Sequence, residues 1–261
     1  MMRFASLGSG SEGNALVVQS RDGACTTTIL IDCGFGIKAA RARMQGINID
    51  PDDLDAILIT HEHADHIGGA FRVGAAHEVP VFLTHGTWLA SKAAAKDKAT
   101  CEIISPDVRF TVGGLSIMPV PVPHDAREPV QFVVDDGRVR FGMLTDLGHG
   151  TPHVAREFSS LDALVLECNH DADMLAGNAS YPMSLKRRIS GPFGHLSNDA
   201  AGQLLSQLDY SRLKRFAAAH LSVKNNKPEL ARAALAAVLD SQPLDIEIAD
   251  QANGLAWSAI S

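Results

Sequence analysis

The apolar, β-branched run Ala56-Ile57-Leu58-Ile59-Thr60 leads directly into His61-Glu62-His63-Ala64-Asp65-His66. The first segment reads as a short buried strand, and the Gly68-Gly69 pair beyond it fits the entry to a helix. Three imidazoles and a carboxylate therefore collect on a tight turn at a strand's carboxyl end. Such donors suit Zn, Mn or Fe, and four of them exceed what one three-ligand catalytic ion usually takes from a single loop. The spacing assigns His61 and His63 to one ion, and Asp65 and His66 to its neighbour. The remaining ligands must come from elsewhere in the chain.

Three candidates stand at the ends of other strand-like runs. His124 follows the run at 117–122, Asp146 sits in Leu144-Thr145-Asp146-Leu147-Gly148, and His220 closes Phe216-Ala217-Ala218-Ala219. Each alone is weak, but together with the histidine turn they point to one site. Strands are also expected at 4–7, 15–19, 27–32, 79–83, 109–112, 115–120, 130–134, 139–144 and 163–166, with a closing strand pair at 246–248 and 255–257. Helices are expected at 37–45 (ending on Gly46 as C-cap), near 70–77, near 88–98, after the Thr151-Pro152 cap, at 197–208 and at 228–239. No repeat or linker breaks the chain. Two sheets with helices outside them, in one α/β domain spanning 1–261, is the economical arrangement.

The 261 residues are 46% apolar and 20% charged, as in an ordinary soluble globular protein. The N-terminal residues lack the long apolar segment of a signal peptide, and no apolar run approaches membrane-spanning length, so a cytoplasmic protein without a membrane partner is expected. The four cysteines form no CxxC pair and read as buried thiols. A net charge of −7 gives no blanket attraction for nucleic acid, yet residues 181–230 carry +5 and the remainder −12. A solvated helix face explains such a run as well as a phosphate-binding surface does.

The chain resembles the metallo-β-lactamase fold superfamily and, within it, the YycJ/WalJ-like branch. The resemblance covers nearly the whole chain. It rests on the histidine motif, Leu7-Gly8-Ser9-Gly10-Ser11-Glu12-Gly13-Asn14, Leu30-Ile31-Asp32-Cys33-Gly34, Pro123-His124-Asp125 and Thr145-Asp146-Leu147-Gly148. It continues through Glu167-Cys168-Asn169-His170-Asp171, Gly194-His195-Leu196-Ser197-Asn198 and His220-Leu221-Ser222-Val223-Lys224-Asn225-Asn226. The last two segments are the more specific to the branch. The resemblance implies a four-layer αββα sandwich and two divalent transition-metal ions, Zn or Mn with Fe also acceptable. His61, His63 and His124 would hold one ion, Asp65, His66 and His220 the other, and Asp146 would bridge them. A hydroxide between the ions would be the nucleophile. Asp32 would orient a ligand imidazole from behind.

By the same resemblance, His195 would protonate the departing oxygen and Glu167 would orient and charge it. His170 and Asn225 are possible substrate contacts. The loop at 8–14 offers backbone N–H groups to a phosphate or a metal ligand, or is a hairpin with no ligand. The expected function is a phosphodiesterase, most like a DNA exonuclease. The branch implies a 5′-to-3′ activity on double-stranded DNA favoured by Mn²⁺, with DNA a better expectation than RNA. The alternative is a thioester or lactone hydrolase of the glyoxalase II type, which the acidic composition favours.

Overall fold

In the computed structural model, which describes residues 1–91, 98–240 and 245–260, alternation of side chains along each strand determines what faces what. Along the chain run β1 (Met2–Gly8), β2 (Ala15–Asp22), β3 (Cys25–Ile31), β4 (Ala56–Leu58), β5 (Val81–Thr84), β6 (Cys101–Ile104) and β7 (Phe110–Val112). There follow β8 (Leu115–Pro121), β9 (Val130–Asp135), β10 (Arg140–Leu144), β11 (Ala163–Glu167), β12 (Arg215–Ala219), β13 (Glu247–Ile248) and β14 (Leu255–Ile260). Among the described residues they make two seven-stranded sheets, ordered β14-β1-β2-β3-β4-β5-β6 and β13-β12-β11-β10-β9-β8-β7.

Ile29 and Ile31 of β3 join Phe141 and Met143 of β10 in the core between the sheets, while Leu30 and Leu144 point to the outer faces. This period of two buries both faces of the central strands. The helices are α1 (Ile37–Gly46), α2 (Ala64–Ile67), α3 (Ala70–Ala76), α4 (His85–Ala90), α5 (Pro152–Glu157), α6 (Ala172–Gly177), α7 (Met183–Ile189), α8 (Asn198–Gln207) and α9 (Pro228–Leu239). α1 and α3 cover the first sheet through Met44 and Phe71, and α5, α8 and α9 cover the second through Val154, Leu204 and Leu235. The result is the expected αββα sandwich. No helix among the described residues is long and apolar enough to cross a membrane.

β3 and β4 pair in parallel, as do β10, β11 and β12, and two antiparallel steps return β8 to the direction of β10. The carboxyl ends of these strands therefore meet along one edge of the sandwich. That topology is what gathers the site.

Several local expectations are corrected. The closing segments are not a pair: β13 runs parallel to β12, whereas β14 runs antiparallel to β1 in the other sheet. The turn at 250–254 carries the chain across, and two short apolar runs cannot by themselves name their partners. α1 continues through Gly46, and the left-handed turn falls at Asn48 (φ 58°). α4 starts at His85, with the Thr84 hydroxyl accepting from Thr87 N at 3.3 Å. Residues 92–97 of the expected helix lie outside the described residues. Cys25 is exposed rather than buried. β6, α6 and α7 had no clear signal, being short or largely solvent-facing.

Candidate metal centre

Asp32 directly follows β3, Asp146 lies two residues beyond β10, and His220 directly follows β12. All three adopt left-handed backbone, with φ of 60°, 52° and 55°. Such conformations cost a non-glycine residue of order 1–3 kcal/mol each, and here each turns a side chain out of its strand end toward the histidine motif. The motif is pinned from beneath: Asn14 N donates to Asp65 O and Cys33 N to His66 O, both at 2.7 Å. Only glycine fits at position 34, where a Cβ would stand 1.9 Å from Asp65 O.

Potential ligand atoms of His61, His63 and His124 all lie within 4.8 Å of one another, and so do those of Asp65, His66 and His220. Asp146 belongs to a third such group with His61 and His66, so its carboxylate reaches toward both sets. With ligand bonds of about 2.0–2.2 Å, donors on one ion stand about 3–4 Å apart, which these groups match with small adjustments.

Hydrogen bonds behind the rings select the tautomers. His124 Nδ1 donates to Gly194 O at 3.1 Å, and His66 Nδ1 donates to Asp32 Oδ2 at 2.8 Å. His61 Nδ1 donates to Thr60 Oγ1 at 2.9 Å, and that hydroxyl donates on to Asp32. One buried carboxylate thus fixes two imidazoles and leaves their Nε2 lone pairs facing the site. Among the described residues, His61 Nε2, Asp146 Oδ2 and His220 Nε2 are buried without any hydrogen-bond partner. An unsatisfied buried group costs about 1–3 kcal/mol, and three converging on one point fit divalent cations.

Charge coupling supports the same fit. Burial disfavours the His66 cation, but Asp146 and Asp32 outweigh it and raise the group to about 9. Burial likewise opposes protonation of His220, which Asp146, Asp65 and Glu167 nevertheless hold well above the ordinary value. A cation can take these lone pairs only by expelling the protons. Metal affinity should therefore rise with pH through about 9, where His66 gives up its proton unaided. Calorimetric titration at pH 7 in buffers of different ionisation enthalpy should detect proton release. A buffer-independent heat would mean that no proton is expelled and that these rings are already neutral.

Glu167 is buried at the end of β11. Its Oε1 accepts from His195 Nδ1 at 2.7 Å and from His220 Nδ1 at 3.2 Å, and its Oε2 accepts from Leu147 N at 3.0 Å and Leu196 N at 3.3 Å. Burial opposes ionisation of Glu167, yet the charge of His195 and the hydrogen bonds from His195 and His220 hold it down at about 2. In return Glu167 raises His195 against the opposing effect of burial. His195 is partly exposed and lines the same cleft as Asp146. The structure thus joins two roles that the sequence kept apart, because Glu167 also orients His220.

His170 and Asn225, the possible substrate contacts, line no part of this cleft. Asn225 is buried, its Oδ1 accepting from Asn178 Nδ2 at 2.6 Å and its Nδ2 donating to Ser222 Oγ at 3.3 Å. His170 is buried and not solvent-facing, with Nδ1 lacking a hydrogen-bond partner. The loop at 8–14 turns out to brace the site: Asn14 Nδ2 lies 3.1 Å from His66 Nε2, and Ser9 Oγ accepts from His220 N at 2.8 Å. Thr60, Ser9 and Asn14 were missed as individual residues, although Thr60 adjoins the motif and the other two lie in a loop already singled out.

The cleft has a volume of about 410 Å³. Arg188, on its far wall, donates from Nε to Asp125 Oδ2 at 2.6 Å, and the Lys224 ammonium lies 5.7 Å from the Tyr181 ring centroid. Arg212 and Lys214 instead pair with Asp162 before β11, at 2.9 and 3.7 Å. They lie at the opposite strand ends, just before Arg215, which stands about 16 Å from His220 along β12. The basic segment is therefore two separate surfaces.

Residues 27–217 match the family model described as a beta-lactamase superfamily domain. The chain is 32% identical over 243 residues to exodeoxyribonuclease YycJ of Bacillus anthracis, covering 92% of this chain and 90% of that protein. It is 34% identical over 235 residues to exodeoxyribonuclease WalJ of Streptococcus pneumoniae, covering 88% and 85%. The structure of Zn²⁺-bound PqqB from Methylobacterium extorquens superposes with a TM-score of 0.74 at 17% identity over 98% of this chain and 99% of that one, a likeness of fold alone.

Proposed function

The chain belongs to the metallo-β-lactamase superfamily of metal-dependent hydrolases, in its YycJ/WalJ-like branch, and from that premise we propose that it is a dinuclear phosphodiesterase that degrades nucleic acid, DNA in preference to RNA. In this reading residues 1–261 work as one domain in the cytoplasm. His61, His63 and His124 hold one divalent ion, Asp65, His66 and His220 the other, and Asp146 reaches both. Zn and Mn suit this imidazole and carboxylate set, and Fe is acceptable to it. When bound, such ions stabilise charge on the phosphoryl oxygens and supply a nucleophile from water at neutral pH.

The chain's own groups supply the rest. Asp32 keeps two ring nitrogens aimed inward through His66 and Thr60. The Glu167 carboxylate, 2.7 Å from His195 Nδ1, keeps that ring protonated so that the cleft side can give a proton to the departing oxygen. This pair is the observation that carries the reading, because an alkoxide leaving from phosphorus needs a proton more than a thiolate leaving from a thioester does. The relatives' exodeoxyribonuclease activity supports DNA as the polymer.

The test is cleavage of end-labelled duplex DNA, single-stranded DNA and RNA beside S-lactoylglutathione and a lactone, with metal content measured on the same preparation. Rapid thioester turnover without phosphodiester cleavage would replace the proposal with the glyoxalase II-like alternative.

The two basic surfaces give a second check. Reversing the charges of Arg187 and Arg188, or of Lys224 and Lys227, should weaken DNA binding across sequences. The slope of log affinity against log salt should flatten by about 0.9 for each phosphate that is no longer neutralised. The same change at Arg212 and Lys214 should leave unaltered both the slope and the turnover of a small monoanionic phosphodiester. Equal slopes for all variants would make the whole segment a solvated surface.

A further inference from the structure

The wall of the cleft opposite the histidine motif is an unusual piece of structure. Helix α7 buries none of its seven residues, yet Leu185, Arg188 and Ile189 all line the cleft, with Tyr181 just ahead of them. Positions 185, 188 and 189 share one helical face. That face is turned to the metal centre and away from either hydrophobic core. The helix is held at its end by Arg188 on Asp125 and by His195 N donating to Ile189 O at 2.8 Å. The helix is therefore tied to His195 and to the residue after His124, which fixes its distance from the centre.

The composition of this wall speaks to what lies against it. A groove that only tracks duplex phosphates is lined with cations. Here an aromatic ring and two aliphatic side chains stand beside a single guanidinium that is 63% exposed beyond its bond to Asp125. An aromatic platform with a neighbouring cation is how unpaired nucleotides are held, base on ring and phosphate on charge. The Lys224 ammonium lies over one face of the Tyr181 ring, 5.7 Å from its centroid, and brings a second positive charge close to that side chain. Size points the same way, since 410 Å³ is the room one drug-sized ligand occupies and far less than a base-paired segment needs. Five of the seven candidate ligands are also recessed, His61, His66, His124, Asp146 and His220 being buried, while His63 and Asp65 are partly exposed and line the cleft.

We infer that the cleft receives one unpaired nucleotide at a strand end, its base against Tyr181 and its phosphate beside Arg188, so that a terminal base pair must open before its phosphodiester reaches the metal centre. This rests on the phosphodiesterase reading and adds to it a selectivity for end structure. Pulling a nucleotide out of a duplex costs least where it is mismatched or already single-stranded. The pairing of the terminus, rather than its sequence, then sets the rate.

The test uses the holoenzyme and one duplex sequence with blunt G·C ends, blunt A·T ends, terminal mismatches, or two unpaired nucleotides at either the 5′ or the 3′ end. Initial rates are read together with affinity, the latter by fluorescence anisotropy on duplexes with phosphorothioate-protected ends. Rates should increase from blunt G·C through A·T to mismatched and unpaired ends. Tyr181→Ala should weaken affinity for unpaired ends about ten-fold, within the range of one base–aromatic stack, and Tyr181→Phe should retain it. Equal rates and affinities on every end, unmoved by Tyr181→Ala, would overturn the inference while leaving the phosphodiesterase reading intact. Failure to cut any nucleic acid would remove both.

Discussion

Replacing His195 with alanine is expected to slow phosphodiester cleavage by about a hundred- to ten-thousand-fold, the usual contribution of a general acid, while both ions stay bound. His195 Nδ1 donates a hydrogen bond to Glu167 Oε1 at 2.7 Å and the rest of its ring faces the cleft, outside the seven residues assigned to the ions. The defect should shrink with a p-nitrophenyl phosphodiester, whose leaving group needs little protonation. Glu167→Gln should behave differently. Glu167 also accepts from His220 Nδ1, so that variant should lose metal affinity together with rate. Loss of an ion from His195→Ala itself would make His195 a ligand and remove the acid assignment.

Asp146→Ala should be the more damaging change. Its carboxylate lies 3.2 Å from His66 and 3.7 Å from His220, and it shares a ligand-atom group with His61. Partners one layer behind a metal ligand already cost about 10–100-fold in affinity when removed, so loss of a shared ligand should cost at least about a hundred-fold. The variant should retain fewer than two ions per chain, and cleavage should fall below that of His195→Ala. Metal analysis by mass spectrometry checks this. Unchanged metal content would show that Asp146 does not join the two sets.

Much of this site could be read from sequence because its residues follow apolar strand runs. His61, Asp146, Glu167 and His220 each stand where an alternating or continuous apolar segment stops, and the parallel pairing of those strands carries such positions to one edge. What lay hidden depends on contacts between distant segments. Asn14 reaches the site only because Asp65 O accepts its backbone N–H, a bond spanning 51 residues. Nothing in the local pattern of Thr60 distinguishes a strand-end threonine from the one that links His61 to Asp32. The basic segment read as one surface because sequence separation hides that β12 carries Arg215 and His220 at opposite ends. Asn225 read as a possible substrate contact for the converse reason: its side chain is turned inward to Asn178 and Ser222. Helix α7 escaped notice because its seven residues bury nothing and only Leu185 and Ile189 mark an apolar face, too short a stripe to follow.

Whether two ions together hydrolyse phosphodiesters here can be decided by returning metal stepwise to the chelated protein. Nuclease turnover is measured at each equivalent of Mn²⁺ or Zn²⁺. Activity should stay low through the first equivalent per chain and rise with the second, in step with a second binding event. Full activity at one equivalent, or cleavage that persists after complete chelation, would contradict the two-ion centre.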